Sequence, residues 1–426
     1  MMKFGLLLFL IFFGSNAYAT DLSSKNVLTE RIWQALENKD ETSIGAQERS
    51  ILGATLALEQ NNHAKALTML DDAPTNSDPL ANLLKAEAYR RAALEAVSSV
   101  GTYAKHQKTS EQQLASIDLS SDLSEATVRL QAFADKMDGT SGYPQDLLLL
   151  DNAIQSVFLV DKSRARLFVY QRDEQGEFKR IADEYVVTGA QEGDKKQRGD
   201  ARTPNGIYRF TEIRHDPALV SRYGPVVFPI DYPNELDKLH GKTGNGIWMH
   251  GYPENVTRRP PQDTRGCFAL PNEHLKQMEP YVIPGKSWVI IGEDFKFDAH
   301  EKQEQLLSSV QQAMETWRND WQSLDTDAYL SHYHDNFRSG KFNLERWKRH
   351  KKKVNSNKKF IEVGLSQMSI IHDPTPWRDG EIVVAEFFQH YKSSNYKDTG
   401  RKRLYLARSS EQEPWKILIE ETIGNE

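Results

Sequence analysis

The sequence has almost no cysteine. Cys267 is the single one among 426 residues. That excludes an internal disulfide, and with it a small fold stapled by disulfides. Long apolar runs are also scarce. The run from Phe4 to Phe13 is far shorter than the ~20 residues that cross a hydrocarbon core, and no later stretch is longer and as free of charge. A basic excess is missing as well. The formal net charge is −6, which argues against a nucleic-acid binder.

What is present reads as a multidomain globular chain. Hydrophobic residues make up 38% and charged residues 27%, a balance that can bury several cores, and the length suggests two to four domains. Lys3, the apolar run and the small-x-small site Ala17-Tyr18-Ala19 have the anatomy of a secretory signal peptide, residues 1–19, cleaved near Ala19. No cysteine follows the run, so a lipoprotein anchor is not available there. The expected location is the periplasm. A lone thiol in an exported protein risks oxidation. Its retention asks for a reason, and either burial or chemistry would supply one.

The chain changes pattern twice. Residues 20–145 carry helix formers with apolar spacings of three and four, as in Gln47–Gln60, His63–Asp72 and Pro79–Val100. Alanines at 64, 66, 81, 86 and 88 suggest closely packed helices, a packing module that could also form a homodimer. Residues 150–295 turn to strands. Val157, Leu159, Leu167 and Val169 alternate around a DKSRA turn, and Glu184–Ala190, Gly206–Ile213, Gly246–Gly251 and Lys286–Gly292 are further strands. Residues 300–426 begin with a helix bearing Leu306, Val310, Met314, Trp317 and Trp321. A second short helix with Tyr329 and Tyr333 is expected next, then four strands. The fold class is therefore multidomain α+β: an all-α N-terminal domain, a mostly-β centre and a C-terminal α+β cone.

The chemistry concentrates in MHGYPENVTRRPPQDTRGCFALP, Met249–Pro271. Thiol attack on an amide needs a base, because a free thiol with pKa near 8.5 is mostly protonated at neutral pH. It needs donors for the oxyanion and a tight turn that leaves the sulfur uncrowded. His250 offers the base, and Gly266 permits the turn before Cys267. By spacing alone, a satisfied thiol with an unrelated histidine is the stronger reading.

The residues around them add more. H-G, followed by T-x-G-C and an apolar residue, resembles the signature of the L,D-transpeptidase (YkuD-type) catalytic domain. Upstream, GDARTPNGIYRF (Gly199–Phe210) resembles the same family's G-D-x-x-T-P-x-G segment. The resemblance implies Cys267 as acyl-accepting nucleophile, His250 as its base and the Gly251 carbonyl as the group orienting the ring. It implies Thr264 shaping the turn and the Gly266 and Cys267 amides as oxyanion donors. The implied substrate is the bond between meso-diaminopimelate and D-alanine in peptidoglycan stem peptides, with water, an amine or a wall-anchored protein resolving the thioester. No cofactor and no metal are implied. Many members carry arginine two residues after the cysteine, where this chain has Ala269. Arg265, Arg258 and Arg259, with Thr264, are the candidates for contact with the substrate carboxylate. The Ile230–Gly251 stretch and the GCFALPNEHL ending are similar to a branch that includes YafK-type proteins and cell-shape L,D-carboxypeptidases, whose C-terminal domain is like nuclear transport factor two. A wall-binding scaffold with a degenerate enzyme domain is the alternative, and a cysteine peptidase cutting elsewhere in the stem is another.

Other signals are weaker. GKTGNG (Gly241–Gly246) lacks the ending of a phosphate cradle and reads as a loop. His332 and His334, two apart on a helix, would face different ways. The basic run Arg346–Lys359 reads as a solvated helix face, or a contact for an anionic wall polymer or partner.

Overall fold

The computed structural model describes residues 22–37, 45–71, 78–99, 112–117, 119–137, 142–297, 300–377 and 380–423. The export signal expected at 1–19 lies outside them. The chain divides into two compact units, residues 1–140 with 257–261, and residues 141–256 with 262–426.

Among the described residues the first unit holds α1 (Leu22–Glu37), α2 (Ala46–Glu59), α3 (His63–Asp71), α4 (Pro79–Ser99) and α5 (Ser120–Met137), with a short helical stretch at 112–115 before the last. In α2 every residue from Ser50 to Leu58 is buried. Such a helix is central, wrapped by the others, rather than a surface helix with one apolar stripe. Ala66, Ala81 and Ala88 pack into the same core, where a methyl group lets backbones approach. Ala64 and Ala86 face solvent instead. Buried Glu87 accepts from Arg90 Nε at 2.6 Å and Arg91 Nε at 2.7 Å, so its charge is matched inside the helix pair. Glu125 lies 2.5 Å from Arg129 Nη2 and 3.3 Å from Arg258 Nε, and burial holds its carboxyl above the usual range.

The second unit contains four sheets, and the two largest share a buried core. Strands β1 (Leu147–Leu149), β2 (Ser156–Asp161), β3 (Arg166–Arg172), β4 (Phe178–Tyr185), β5 (Thr188–Gly189) and β6 (Gly206–Arg209) come first. Then come α6 (Pro217–Tyr223), β7 (Val227–Pro229), α7 (Glu235–Leu239), β8 (Trp248–His250), β9 (Gln262–Thr264), β10 (Phe268–Ala269), α8 (Asn272–Met278) and β11 (Trp288–Gly292). A five-stranded sheet has the order β4-β3-β2-β11-β6, and β10-β8-β7 form a small second sheet. The expected hairpin is β2–β3, in register from Ser156↔Gln171 to Asp161↔Arg166.

The alternation read in β2 is an alternation between two cores. Phe158 and Val160 enter the core shared with Tyr208, Phe228, Met249 and Phe268. Val157 and Leu159 enter another, shared with Val384, Tyr405 and Ile419 of the C-terminal sheet. Side chains on a strand point to opposite faces in turn, and here both faces are covered. That is why VFLV is apolar at every position.

The remaining elements are α9 (His300–Gln322), α10 (Thr326–Ser331), β12 (Tyr333–Ser339), β13 (Phe342–Asn343), α11 (Leu344–Asn355), β14 (Ile361–Trp377), β15 (Gly380–Ser393), β16 (Lys397–Arg408) and β17 (Lys416–Ile423). They make a seven-stranded sheet, β1-β14-β15-β16-β17-β12-β13, closed over Val310, Met314, Trp317 and Trp321 of α9. The second short helix ends earlier than expected. His332 is its C-cap, and Tyr333 opens β12. Strand β1 pairs with β14 (Leu147↔Ile371), so the chain visits the C-terminal sheet before it builds the central one.

Between the sheets lies a buried ion cluster. Glu386 accepts from Arg209 Nη2 at 2.8 Å, Arg403 Nη2 at 3.0 Å and Arg401 Nη1 at 3.3 Å. Burial opposes the Glu386 charge, yet Arg403 and Arg209 hold its carboxyl below the usual range. The Arg209 guanidinium also stacks 3.7 Å from the Trp288 ring centroid, a cation–π contact.

Candidate active site

Cys267 sits between β9 and β10, and His250 ends β8. The parallel register pairs Ala269 with His250 and Phe268 with Met249. Partners in a parallel ladder share a face, as do residues two apart on one strand. Ala269 and His250 therefore share a face, and Cys267 stands two residues before Ala269, just ahead of the strand. Cys267 is half-buried, and its Sγ lies 3.5 Å from the Gly246 carbonyl oxygen. It is not a sealed core thiol.

The turn before the cysteine is fixed by hydroxyls. Thr264 Oγ1 donates to the Cys267 carbonyl at 2.6 Å and accepts from the Gly266 amide at 3.1 Å. Thr203, from the TPNG segment, donates to the same carbonyl at 3.2 Å and accepts from the Gly189 amide at 2.9 Å. The two quoted motifs thus meet on one backbone oxygen. Gly266 has φ 121°, and a Cβ there would lie 2.7 Å from the Arg202 carbonyl oxygen. Only glycine suits both demands.

The Gly266 amide, expected as an oxyanion donor, donates to Thr264 Oγ1 and so helps build the turn. Thr264 is buried with its hydroxyl occupied on both sides, an arrangement that shapes the turn.

His250 is buried, and its Nδ1 lies 2.6 Å from the Gly251 carbonyl oxygen. The Tyr223 ring meets it edge-on at 5.0 Å, and the Gly251 amide donates to the Tyr223 carbonyl at 2.7 Å. A Cβ on Gly251 would fall 2.1 Å from Asn272 Oδ1, an oxygen that also accepts from the Tyr252 amide at 2.8 Å. Gly251 is glycine because two backbone segments and a side chain converge on it.

The upstream loop is held by a charge network. Asp200 accepts from Lys195 Nζ at 2.6 Å and from the amides of Lys196, Gln197 and Arg202. Burial works against its charge, but those donors keep its carboxyl well below the usual range. Lys242, in the GKTGNG loop, is buried between Asp194 and Asp237, each at 2.8 Å. That explains the loop as a structural tie.

Of the arginines, Arg265 is exposed beside Cys267. Arg258 belongs to the helical unit, paired with Glu125, and Arg259 is half-buried in the same loop. Ala269 is buried in the ladder opposite His250. Among the described residues no group of three or more His, Cys, Asp or Glu could hold a metal ion, and His332 instead pairs with Asp320 at 2.6 Å. Thr203, Gly246, Tyr223 and Asn272 were not singled out from sequence. Thr203 had a signal in its motif, whereas the others act through backbone or distant contacts.

Comparison with known proteins agrees with this geometry. Residues 155–291 match the L,D-transpeptidase catalytic domain, YkuD, and residues 309–421 match the Cds6 C-terminal NTF2-like domain. Pgp2, the helical cell shape determining protein of Campylobacter jejuni, is 33% identical, with TM-score 0.55, over 66% of this chain and 94% of that one. The chain belongs to the YkuD-type L,D-transpeptidase family. Bd1075 of Bdellovibrio bacteriovorus has a similar structure, 28% identical with TM-score 0.57 over 67% of this chain and 99% of that one. YafK of Escherichia coli K12, whose name assigns it to the L,D-transpeptidases, is 28% identical over 90 residues. That match spans 21% of this chain and about a third of YafK (32%). In this L,D-transpeptidase-type domain, His250 ends β8 and Cys267 directly precedes β10, and the C-terminal sheet lies in the NTF2-like domain.

Proposed function

We propose that the protein cleaves the bond between meso-diaminopimelate and D-alanine in peptidoglycan stem tetrapeptides through a Cys267 thioester. The observation that carries this reading is the pairing of β10, which directly follows Cys267, with β8, which ends at His250, together with His250 Nδ1 engaged by the Gly251 carbonyl, inside an L,D-transpeptidase-type domain.

The steps follow from that arrangement. His250 Nε2 takes the thiol proton, and Sγ attacks the carbonyl carbon of diaminopimelate. The tetrahedral intermediate collapses, the C–N bond breaks, and His250 returns the proton to the leaving amine of D-alanine. Water then attacks the thioester, its proton passing through His250 to Sγ, and the tripeptide leaves. An amine in place of water would give a cross-link. The resemblance of the Ile230–Gly251 stretch and the GCFALPNEHL ending to cell-shape L,D-carboxypeptidases, with the similarity to the cell shape determining protein Pgp2, supports water as the acceptor. Arg265, exposed beside the nucleophile, takes the substrate carboxylate in this reading. The substrate lies outside the cytoplasm, consistent with the apolar N-terminal run.

The test compares the protein with its Cys267→Ala form on purified muropeptides ending in D-alanine at position four, with products resolved by mass. Tripeptide alone, absent with the variant, establishes an L,D-carboxypeptidase. Dimers joined through two diaminopimelates establish transpeptidation. No product from either protein, with the thiol still reactive, would reject the reading.

A further inference from the structure

Helix α11 divides its charge in an unusual way. Residues 341–359 contain nine lysines and arginines and one acid, Glu345. Leu344 and Trp347 turn into the core of the C-terminal domain, and Lys351 lies with its ammonium 4.4 Å from the Trp347 ring centroid. Arg346, Arg349, Lys352 and Lys353 face solvent. Arg349, Lys352 and Lys353 stand three and four apart, so like charges are neighbours on one face. Folding gains nothing from that repulsion.

Acids nearby answer only part of the charge. Asp327 pairs with Lys352 at 2.7 Å, Glu345 lies 4.0 Å from Lys348, and Glu362 pairs with Lys392 at 2.9 Å. Arg349, Lys353, Lys359 and Lys397 have no carboxylate within ion-pair distance among the described residues.

Apolar side chains border the same corner. Nine large hydrophobics are exposed among the described residues, and Val354, Phe360 and Tyr396 are three of them, at 38%, 39% and 58%. Val354 closes α11. The β15–β16 turn brings Tyr396 to Phe360: the Ser394 amide reaches the Phe360 carbonyl at 3.4 Å, and the Ser393 amide reaches the Tyr396 carbonyl at 2.8 Å. Lys358 Nζ ties the turn down through Ser393 Oγ at 2.9 Å and Asn395 Oδ1 at 2.8 Å.

We infer that this corner of the C-terminal domain docks on an anionic phospholipid surface. Clustered lysines and arginines attract an anionic leaflet, and each contributes when held near it. Exposed aromatic and aliphatic groups beside them suit the headgroup–acyl boundary. An acidic glycan or nucleic acid would use the charge alone and leave Val354 and Phe360 in water.

The test is cosedimentation of the full chain with vesicles of phosphatidylcholine alone or containing phosphatidylglycerol. Binding is expected only with phosphatidylglycerol, weakening as salt rises. Combining Arg349→Gln, Lys353→Gln and Lys359→Gln should lower the partition coefficient about tenfold or more. Phe360→Ser with Tyr396→Ser should lower it at unchanged charge. Circular dichroism establishes that each variant is folded; if the triple variant is not, Lys353→Gln alone is measured, with a proportionately smaller loss expected. Failure of the unaltered chain to bind these vesicles would overturn the inference. So would equal binding by the folded variants, or charge-dependent capture of peptidoglycan without vesicle binding. None of these readouts depends on Cys267.

Discussion

His250 Nδ1 and the Gly251 carbonyl oxygen are 2.6 Å apart. A carbonyl can only accept, so in the neutral ring the proton sits on Nδ1 and Nε2 is left as the basic nitrogen. The residue that follows the histidine therefore selects its tautomer, and the base is set before any substrate arrives.

Loss of that base should separate chemistry from folding. His250→Gln is expected to lower turnover of tetrapeptide by a factor of ~10²–10⁴ and to slow thiol alkylation at neutral pH. If alkylation and turnover are both unchanged, His250 is not the base.

Gly266→Ala should act through backbone strain. Its φ of 121° and the 2.7 Å approach to the Arg202 carbonyl leave no room for a methyl group. We expect a loss of about 1–3 kcal/mol in denaturant unfolding and a larger fall in turnover, because the same turn aims Cys267. Full activity at unchanged stability would contradict the close approach.

The cluster at Glu386 predicts a stability effect far from the thiol. Glu386→Ala leaves Arg209 and Arg403 buried without their shared anion. Breaking a buried pair in this way costs about 3–5 kcal/mol. A calorimetric melt gives the loss, and adding Arg209→Met should recover part of it, since the uncompensated charge is then removed.

Asp373 sets a pH dependence. Burial pushes its carboxyl up from 3.8 to about 6, with the Thr375 amide the main opposing donor. A carboxyl raised in the folded state is easier to hold protonated there than in the unfolded chain. Its stabilisation is present below the unfolded pKa and is lost as pH rises from about 4 through about 6. Asp373→Asn keeps the neutral shape. It should flatten the melting temperature across that window and add about 3 kcal/mol or less at neutral pH. A variant melting lower at neutral pH would show the charge to be stabilising.

Much of the architecture was legible because local pattern and burial agree. The hairpin β2–β3, the strands β14 to β17 and the face of α9 follow from alternation and helical spacing in stretches long enough to be unambiguous. Tyr333 was misplaced because a short helix and a following strand both put an aromatic inward, and only the C-cap at His332 separates them. Ala64 and Ala86 face solvent although their size suggests packing, because small size alone does not say which side of a helix is covered.

The sequence determined the chemistry available: one thiol, a histidine before a glycine, and a T-x-G-C turn that only glycine can make. Those properties are local, set by side-chain type and allowed backbone angles. The tertiary structure decided which groups meet. It joined Thr203 and Thr264 on the Cys267 carbonyl, spent the Gly266 amide on the turn, and drew Arg258 to Glu125. It also buried both faces of β2 by laying the C-terminal sheet against the central one. Hydrogen-bond partners and burial depend on segments distant in sequence, and a charge has no assigned role until its neighbours are fixed.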